Sequence, residues 1–135
     1  MTPLILILSL FIVGILVYRF WEPFVNPPRR ETPEGTASLY FFYTDWCGHS
    51  KKAMPEWEAL EAALAESPVF GSTRVKAVRV NGDTDRATTS LYDVHGFPTI
   101  KLETNSSLLD YDGKRTSIAL LDFLRSSLGQ ERKSL

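Results

Sequence analysis

The only cysteine of this chain, Cys47, lies in the segment Trp-Cys-Gly-His-Ser-Lys at residues 46–51. A cysteine at the start of a helix receives the partial positive charge of the helix N-terminus. That charge stabilises the thiolate and lowers the pKa of the thiol. The spacing is that of a Cys-x-x-Cys redox turn, but Ser50 occupies the second position. The sequence therefore predicts a site that has an attacking thiol and lacks a resolving thiol.

Two neighbouring segments must position Cys47. Residues 39–43 form a continuous apolar and aromatic run, which is typical of a buried central strand. From Gly48 to about Glu66, apolar residues recur at helical spacing along one face. The residues of that face are Ala53, Trp57, Leu60 and Leu64. We therefore expect Cys47 between the end of a strand and the start of a helix.

The rest of the chain alternates strand and helix patterns. Strands are predicted over residues 75–80, 99–102 and 108–111, the last two paired as a hairpin, and a short helix ends near Tyr92. With the first strand, the first helix and a last helix, the order of elements is βαβαββα. This order predicts an α/β domain, with a mixed sheet flanked by helices.

The last helix is predicted from its end signals. Thr116 or Ser117 caps its start, and Gly129 stops it. The residues expected to face the core are Ile118, Leu121, Leu124 and Leu128. We expect the domain to cover residues 37–128 and a polar tail to follow at residues 129–135.

The N-terminal segment has a different character. Residues 4–18 carry no charge, and as a helix they rise about 22 Å, against a hydrocarbon core of about 30 Å. Arg19, which can snorkel, and the two aromatic residues after it bring the segment close to spanning length. We therefore expect a single transmembrane anchor at residues 1–21 and a Pro-rich linker at residues 22–36. A cleaved signal peptide is the competing interpretation, although no small-x-small pattern follows the apolar run.

Composition and charge exclude several classes of function. The chain has 15 basic and 16 acidic residues, so nothing indicates binding to nucleic acid. A single cysteine excludes an internal disulfide and a thiolate-rich zinc site. We predict no metal and no cofactor.

Three separate motifs carry a resemblance to a known family. The segment at residues 42–57 resembles the active-site segment of the thioredoxin-like catalytic domains of protein disulfide isomerases, which carry Trp-Cys-Gly-His-Cys-Lys before a helix that contains a proline. The segments at residues 92–100 and 111–116 agree in the same order, and the resemblance covers residues 38–128. It implies a thioredoxin-like fold and a cis-proline at Pro98, beside the active-site sulfur. It also implies that a client peptide binds next to that proline as an added strand.

The chain departs from the family's pattern at three points. Ser50 replaces the second cysteine, and Phe41 stands where the family usually has a buried glutamate that moves protons to and from that cysteine. The two changes agree with each other, because a buried carboxylate without a partner would be costly. The family's opening strand and helix are also missing, so we expect a shortened thioredoxin-like fold.

These observations lead to a set of site predictions. Cys47 is the nucleophile, Ser50 supports its thiolate with a hydrogen bond, and His49 as a cation lowers the pKa of the thiol. The residues predicted to contact a client are Trp46, Gly48, Phe97 and Pro98. His95 near the proline loop, and the charged residues Lys51, Lys52 and Arg115, are expected to be ordinary surface residues.

The leading functional hypothesis is a membrane-anchored monothiol protein that forms mixed disulfides with client proteins and exchanges them with client thiols or glutathione. Such a protein isomerises disulfides or retains thiol clients, and does not act as an autonomous dithiol oxidase or reductase. The alternative is a non-catalytic module that docks a partner at the cis-proline groove. A third hypothesis is a glutathione-linked monothiol reductase in the cytosol.

The cellular location stays open between two compartments. The family resemblance favours the lumen of the endoplasmic reticulum, whereas Arg19, Arg29 and Arg30 after the apolar run favour a domain in the cytosol. The triplet Asn-Ser-Ser at residues 105–107 is a glycosylation acceptor at a predicted hairpin tip, so a glycan there would indicate a lumen.

Overall fold

The computed structural model describes residues 2–25, 34–129 and 131–132. The chain forms two compact units, Met1–Arg30 and Glu31–Leu135. Most of the predicted linker, residues 26–33, lies outside the described residues, as do residue 130 and residues 133–135 of the predicted tail.

The first unit contains one helix, α1 (Thr2–Val25). The large apolar side chains described between Ile5 and Tyr18 are all more than half exposed. Among the described residues, no helix combines the length and the apolarity needed to cross a membrane. The predicted transmembrane anchor at residues 1–21 is therefore not supported. The uncharged run of about 22 Å is shorter than the hydrocarbon core, and α1 extends past it over Arg19 and Glu22.

The second unit is built on a six-stranded mixed sheet. Its strands are β1 (Thr36–Tyr43), β2 (Val69–Phe70), β3 (Thr73–Asn81), β4 (Thr99–Glu103), β5 (Leu108–Tyr111) and β6 (Glu131–Arg132). Their order across the sheet is β5-β4-β1-β3-β2-β6. β1 and β3 are parallel, and the other pairs are antiparallel. The α/β prediction with a mixed central sheet is confirmed.

Three helices complete the second unit: α2 (Gly48–Glu66), α3 (Arg86–Leu91) and α4 (Ser117–Leu128). Side chains of Asp85 and Thr116 accept hydrogen bonds from the first turns of α3 and α4, which satisfies backbone donors that would otherwise lack partners. The main core lies between the sheet and the α2 and α4 helices, and the predicted inner face of α2 is buried in it.

The inner face of α4 differs from the prediction. Ile118 is 71% exposed, whereas Leu120 and Leu124 are buried and Leu121 and Leu128 are half-buried. The sequence prediction for Ile118 was wrong because the apolar residues of this helix are spread over much of its circumference, so their spacing does not select one inner face. Its rotation about its own axis is then decided by packing against α2 and the sheet.

A pair of substitutions on α4 tests this packing. Replacing Leu124 with alanine should lower the free energy of unfolding by about 2–5 kcal/mol, because a buried leucine leaves a cavity. Replacing the exposed Ile118 with alanine should change the free energy by no more than about 0.5 kcal/mol. Urea unfolding followed by circular dichroism measures both values. Equal destabilisation by the two variants would contradict the observed orientation of the helix.

The opposite face of the sheet carries a second, smaller core. It comprises Tyr40, Phe42, Val80 and Tyr92. The Tyr92 hydroxyl donates a hydrogen bond of 2.6 Å to Oε2 of Glu103, which is fully buried. Burial and this hydrogen bond raise the pKa of Tyr92 above its ordinary value. This core anchors the end of α3, and with it the segment that leads to Pro98.

The two-residue strands β2 and β6 are absent from the sequence prediction. β2 and β3 are joined through Gly71, whose φ is +60°. A Cβ atom at Gly71 would lie 2.4 Å from the backbone oxygen of Leu128, so glycine is required where this turn meets the end of α4. β6 pairs with β2, and part of the predicted polar tail therefore extends the sheet.

Candidate active site

Three loops meet at one edge of the sheet. β1 and β3 run parallel, with Tyr43 opposite Asn81, so the segments that follow both strands leave the sheet together. β4 is antiparallel to β1 and begins with Thr99 opposite Phe42. This register brings the loop before Thr99 to the same edge. The reactive turn at residues 44–47 therefore lies next to residues 82–85 and 93–98.

Hydrogen bonds fix the reactive turn to the end of β3 and the segment that follows it. The backbone N–H of Gly82 donates to the carbonyl of Tyr43 at 2.8 Å, and Nδ2 of Asn81 donates to Oδ2 of Asp45 at 3.0 Å. These bonds hold the residues just before Cys47 against the segment that follows β3. The position of the thiol is thus set by the parallel strand pair.

Cys47 is the residue immediately before α2. Its backbone is extended, with φ −79° and ψ 119°, and its carbonyl accepts the N–H of Lys51 at 3.0 Å. Its side chain makes no capping hydrogen bond to the helix backbone. Cys47 is half-buried and therefore stays within reach of a reagent or client.

The sulfur also contacts the loop that contains Pro98. Sγ of Cys47 donates a hydrogen bond to the backbone carbonyl of Phe97 at 3.4 Å. The Phe97–Pro98 peptide bond is cis, and Pro98 is buried. The thiol and the backbone of the proline loop are thus direct neighbours, although they lie 50 positions apart in the chain.

The surroundings of Cys47 lower the pKa of its thiol below the ordinary value. The largest cause is the backbone N–H of Ser50, which stabilises the thiolate, and the Ser50 hydroxyl and the backbone N–H of His49 add to it. The positive charge of Arg115 also lowers the pKa, while desolvation opposes the change. The contact with the Phe97 carbonyl favours the protonated thiol, but the donors at the start of α2 outweigh it. The positive charge of a helix N-terminus comes from such backbone N–H groups, which have no partner within the helix.

Ser50 lies beneath the turn and is 1% exposed. Its Oγ accepts a long hydrogen bond of 3.4 Å from the backbone N–H of Thr44. Within the described part of the chain, the buried Oγ1 of Thr44 has no hydrogen-bond partner. A cavity of about 480 Å³ opens beside this pair, toward Met54 and Pro55. The second position of the turn is thus a buried hydroxyl next to a recess, where it cannot attack a disulfide.

Phe41 fills the core below the site with an aromatic ring. It is fully buried and stacks on Trp57, with ring centroids 4.9 Å apart, and on Tyr43 at 5.6 Å. A carboxylate at this position would lie among aromatic rings and would be strongly disfavoured. The position therefore offers no group that could take a proton from residue 50.

An exposed aromatic surface lies beside the thiol. Trp46 is 68% exposed, and its ring meets the ring of Phe97 edge-on at a centroid distance of 6.5 Å. A Cβ atom at Gly82 would lie 2.2 Å from Cζ of Phe97. The absence of a side chain at Gly82 therefore allows the Phe97 ring to occupy its position. We call Trp46 and Phe97 the aromatic face.

The other candidate residues are distributed around the site. Gly48 is exposed at the first position of α2, and the exposed His49 acts on the thiol through its backbone N–H. His95 is 83% exposed, and its Nε2 lies 2.8 Å from a carboxylate oxygen of Asp93. Lys51 and Lys52 are exposed on α2. Among residues 2–25, 34–129 and 131–132, no group of His, Cys, Asp and Glu side chains is arranged to hold a metal.

Sequence reasoning missed three contributions to the site. These are the Phe97 carbonyl at the sulfur, the space left by Gly82 and the charge of Arg115, which lowers the pKa of Cys47. The sequence contains a signal for only one of them, since a lone glycine after a strand often marks a close approach. The other two depend on distances through space.

Comparison with known proteins agrees with this geometry. Residues 32–126 match the thioredoxin family. The chain belongs to the thioredoxin family. Its thioredoxin domain is similar to those of several curated relatives that are named protein disulfide isomerases. One of them, protein disulfide isomerase-like 2-1 of Oryza sativa subsp. japonica, is 35% identical over 100 residues, which are 73% of this chain and 26% of the relative.

Solved structures of similar domains agree. The zinc-bound form of human ERp44 has a TM-score of 0.58 and 30% identity over 67% of this chain and 26% of that chain. The first thioredoxin domain of mouse protein disulfide-isomerase A4 has a TM-score of 0.57 and 27% identity, covering 78% of this chain and 68% of that domain structure. The chain spans only 12% to 28% of the length of the first curated relatives it matches.

Proposed function

We propose that this protein is a monothiol thiol–disulfide exchange protein that forms mixed disulfides with client proteins through Cys47. The observation that carries the proposal is the combination at the start of α2. A half-buried thiol with a lowered pKa is followed, at the position of a resolving thiol, by the buried Ser50. This combination supports attack on a disulfide and disfavours release of the product by the protein itself.

The proposed reaction is a thiol–disulfide exchange. The Cys47 thiolate attacks one sulfur of a client disulfide, forming a new S–S bond to it and breaking the client S–S bond. The other client sulfur leaves as a thiolate, so no external oxidant or reductant is needed. A second client thiolate, or the thiolate of glutathione, then attacks the client sulfur of the mixed disulfide. The new S–S bond lies within the client or between the client and glutathione, the bond to Cys47 breaks, and Cys47 leaves as a thiolate. The outcome is isomerisation of the client or its retention, and not net dithiol oxidation or reduction.

Two features of the site support a peptide as the client. The aromatic face offers exposed apolar surface next to the sulfur, and the Phe97 carbonyl presents a backbone acceptor at the same place. A client in extended conformation can pair with such backbone groups while its side chains contact the rings. We propose that Trp46, Gly48, Phe97 and Pro98 contact the client in this way.

Replacing Gly82 with alanine should test the role of the aromatic face. The added Cβ displaces the Phe97 ring, and a misplaced binding group of this kind reduces reaction rates by as much as about 100-fold. We expect slower formation of mixed disulfides with a peptide disulfide and an unchanged rate of alkylation by iodoacetamide. Rapid-quench kinetics with both reagents measure the two rates. Gly96→Ala is the matched control, because a Cβ there meets nothing within 4 Å; equal effects of the two variants would argue against the aromatic face.

A second candidate function is a docking module that uses the same surface without chemistry. The observation in its favour is the 68% exposure of Trp46, which makes the aromatic face available whether or not the thiol reacts. Under this alternative the Cys47 thiol has no part in partner binding. Replacement of the cysteine therefore separates the two functions.

We propose the lumen of the endoplasmic reticulum as the site of action. Several of the curated relatives are named protein disulfide isomerases, and client disulfides form in oxidising compartments.

The direct test of the proposed function is the isolation of the mixed disulfide. The full chain is incubated with a peptide whose single cysteine is linked by a disulfide to a small, weakly nucleophilic aromatic thiol, so that the attack leaves no second thiol on the peptide. The reaction is quenched with acid and analysed by mass spectrometry without reduction. We expect an adduct on Cys47 that persists until glutathione is added and then disappears. Rapid loss of the adduct without any added thiol would contradict the proposal, since the chain contains no second cysteine to release it.

A further inference from the structure

The turn between β4 and β5 contains the triplet Asn105-Ser106-Ser107. The backbone N–H of Thr104 donates to the carbonyl of Ser107 at 2.8 Å, and the hydroxyls of these two residues lie 2.9 Å apart. These contacts close a tight turn. Asn105 and Ser106 occupy its corner, and both are exposed. In the described structure, no hydrogen bond engages the side-chain amide of Asn105.

The turn and the thiol lie at opposite ends of the strands of the sheet. β4 begins with Thr99 opposite Phe42, close to the reactive turn, and ends with Glu103 opposite Ser38. Four residues of extended strand cover about 13 Å, so residues 104–107 project from the far edge. β5 is also the outermost strand on its side. A bulky group on Asn105 therefore has open solvent around it and does not cover Cys47 or the aromatic face.

We propose that Asn105 is an N-linked glycosylation site, which rests on the lumenal location in the proposed function. The amide nitrogen of Asn105 forms a bond to the anomeric carbon of a lipid-linked oligosaccharide diphosphate. The bond between that carbon and the diphosphate oxygen breaks, the lipid diphosphate leaves, and the amide nitrogen loses one proton to the transferase. No oxidation or reduction is involved. The hydroxyl of Ser107 supplies the third position that the acceptor triplet requires.

The location of this triplet is consistent with such a modification. The other two asparagines, Asn26 and Asn81, are followed by Pro-Pro and Gly-Asp, so neither starts an acceptor triplet. An N-linked glycan on this chain thus has one possible attachment point. At the tip of an edge hairpin, it would add polar bulk next to an edge strand that carries the 38% exposed Leu109. Such bulk disfavours pairing of that edge with another chain.

The test is translation of the full chain in a cell-free system supplemented with endoplasmic reticulum microsomes. We expect a fraction of the product to gain the mass of one oligosaccharide and to lose it after treatment with an amidase specific for N-linked glycans. Ser107→Ala and Asn105→Gln should abolish the gain. Ser106→Ala is the matched control, because it alters the same corner and leaves an intact Asn-x-Ser triplet.

An unchanged mass of the parent chain, or a gain that persists in Ser107→Ala, would overturn the proposal. Alkylation of Cys47 in the same product separates this result from the proposed function. A glycosylated chain with an unreactive thiol would contradict the exchange activity alone. An unglycosylated chain with a reactive thiol would contradict only the glycosylation site and the lumenal location.

Discussion

Replacing Cys47 with alanine should eliminate retention of a disulfide peptide completely, both as a covalent adduct and in native binding assays. The chain has one cysteine, and the proposed exchange draws its binding energy mainly from the mixed disulfide. The measurement is the amount of labelled peptide that co-elutes with the protein in gel filtration, followed by mass spectrometry without reduction. Loss in both assays is the expected result.

Ser50→Ala serves as the control for this experiment. It removes one oxygen atom from the buried position next to the thiol and leaves Cys47 in place. We expect this variant to retain the peptide as the parent chain does, with a slower approach to the plateau. If the Cys47→Ala variant still binds the peptide with parental affinity, the docking module is the correct function.

Replacing Ser50 with cysteine should have the second large effect, because it supplies the missing resolving thiol. The introduced sulfur would lie in the turn next to Cys47, and an intramolecular thiol competes with free thiols at an effective concentration that can reach about 10⁵ M or more. We therefore expect the mixed disulfide to stop accumulating and an internal disulfide to form with release of the reduced peptide. Mass spectrometry of the acid-quenched reaction measures both products.

The environment of residue 50 predicts how the rate of resolution by the introduced cysteine depends on pH. Phe41 places an aromatic ring at the position where a carboxylate could accept the proton of the introduced thiol. Burial raises the pKa of a thiol, so its thiolate fraction and the rate of resolution should increase as the pH rises above neutrality. A resolution rate that is independent of pH would show that another group takes the proton. An adduct that accumulates in Ser50→Cys to the parental level would contradict the account of Ser50.

The strand, turn and helix around Cys47 were predictable from sequence because local patterns specify them. A continuous apolar run precedes the cysteine, and the buried face of α2 follows the spacing of Ala53, Trp57, Leu60 and Leu64. The hairpin of β4 and β5 was predictable from two short apolar runs separated by polar residues. In each case the signal lies within a few residues of the feature that it predicts.

The features that were not predicted depend on contacts between distant segments. β2 and β6 each have two residues, which is too few for an alternation of apolar and polar residues to be visible. β2 forms because it pairs with β3, and β6 forms because it pairs with β2. Ile118 and Leu120 are both apolar, and only the packing of α4 decides which of them is buried. The hydrogen bond from Cys47 to the Phe97 carbonyl involves a backbone atom, which no pattern of side chains reports.

The assignment of the membrane anchor shows a limit of a different kind. The N-terminal run is uncharged over fifteen residues, from Leu4 to Tyr18. Its length lies between that of a buried helix and that of a span, and the prediction relied on Arg19 and two flanking aromatic residues to extend it. No described helix satisfies the requirements for a span. The prediction of an anchor at residues 1–21 is therefore not supported.

The most direct test of the central claim is the pH dependence of Cys47 alkylation in the full chain. As the only cysteine, Cys47 gives a single titration, and the same chain unfolded in urea provides the reference value. Because the N–H donors at the start of α2 lower the pKa of the thiol, a larger fraction is thiolate at neutral pH. We predict that the alkylation midpoint of the folded chain lies below that of the unfolded chain, which is about 8.5, and that Ser50→Ala raises it. A folded midpoint at or above the unfolded one would contradict an activated thiol, and with it the proposed exchange function.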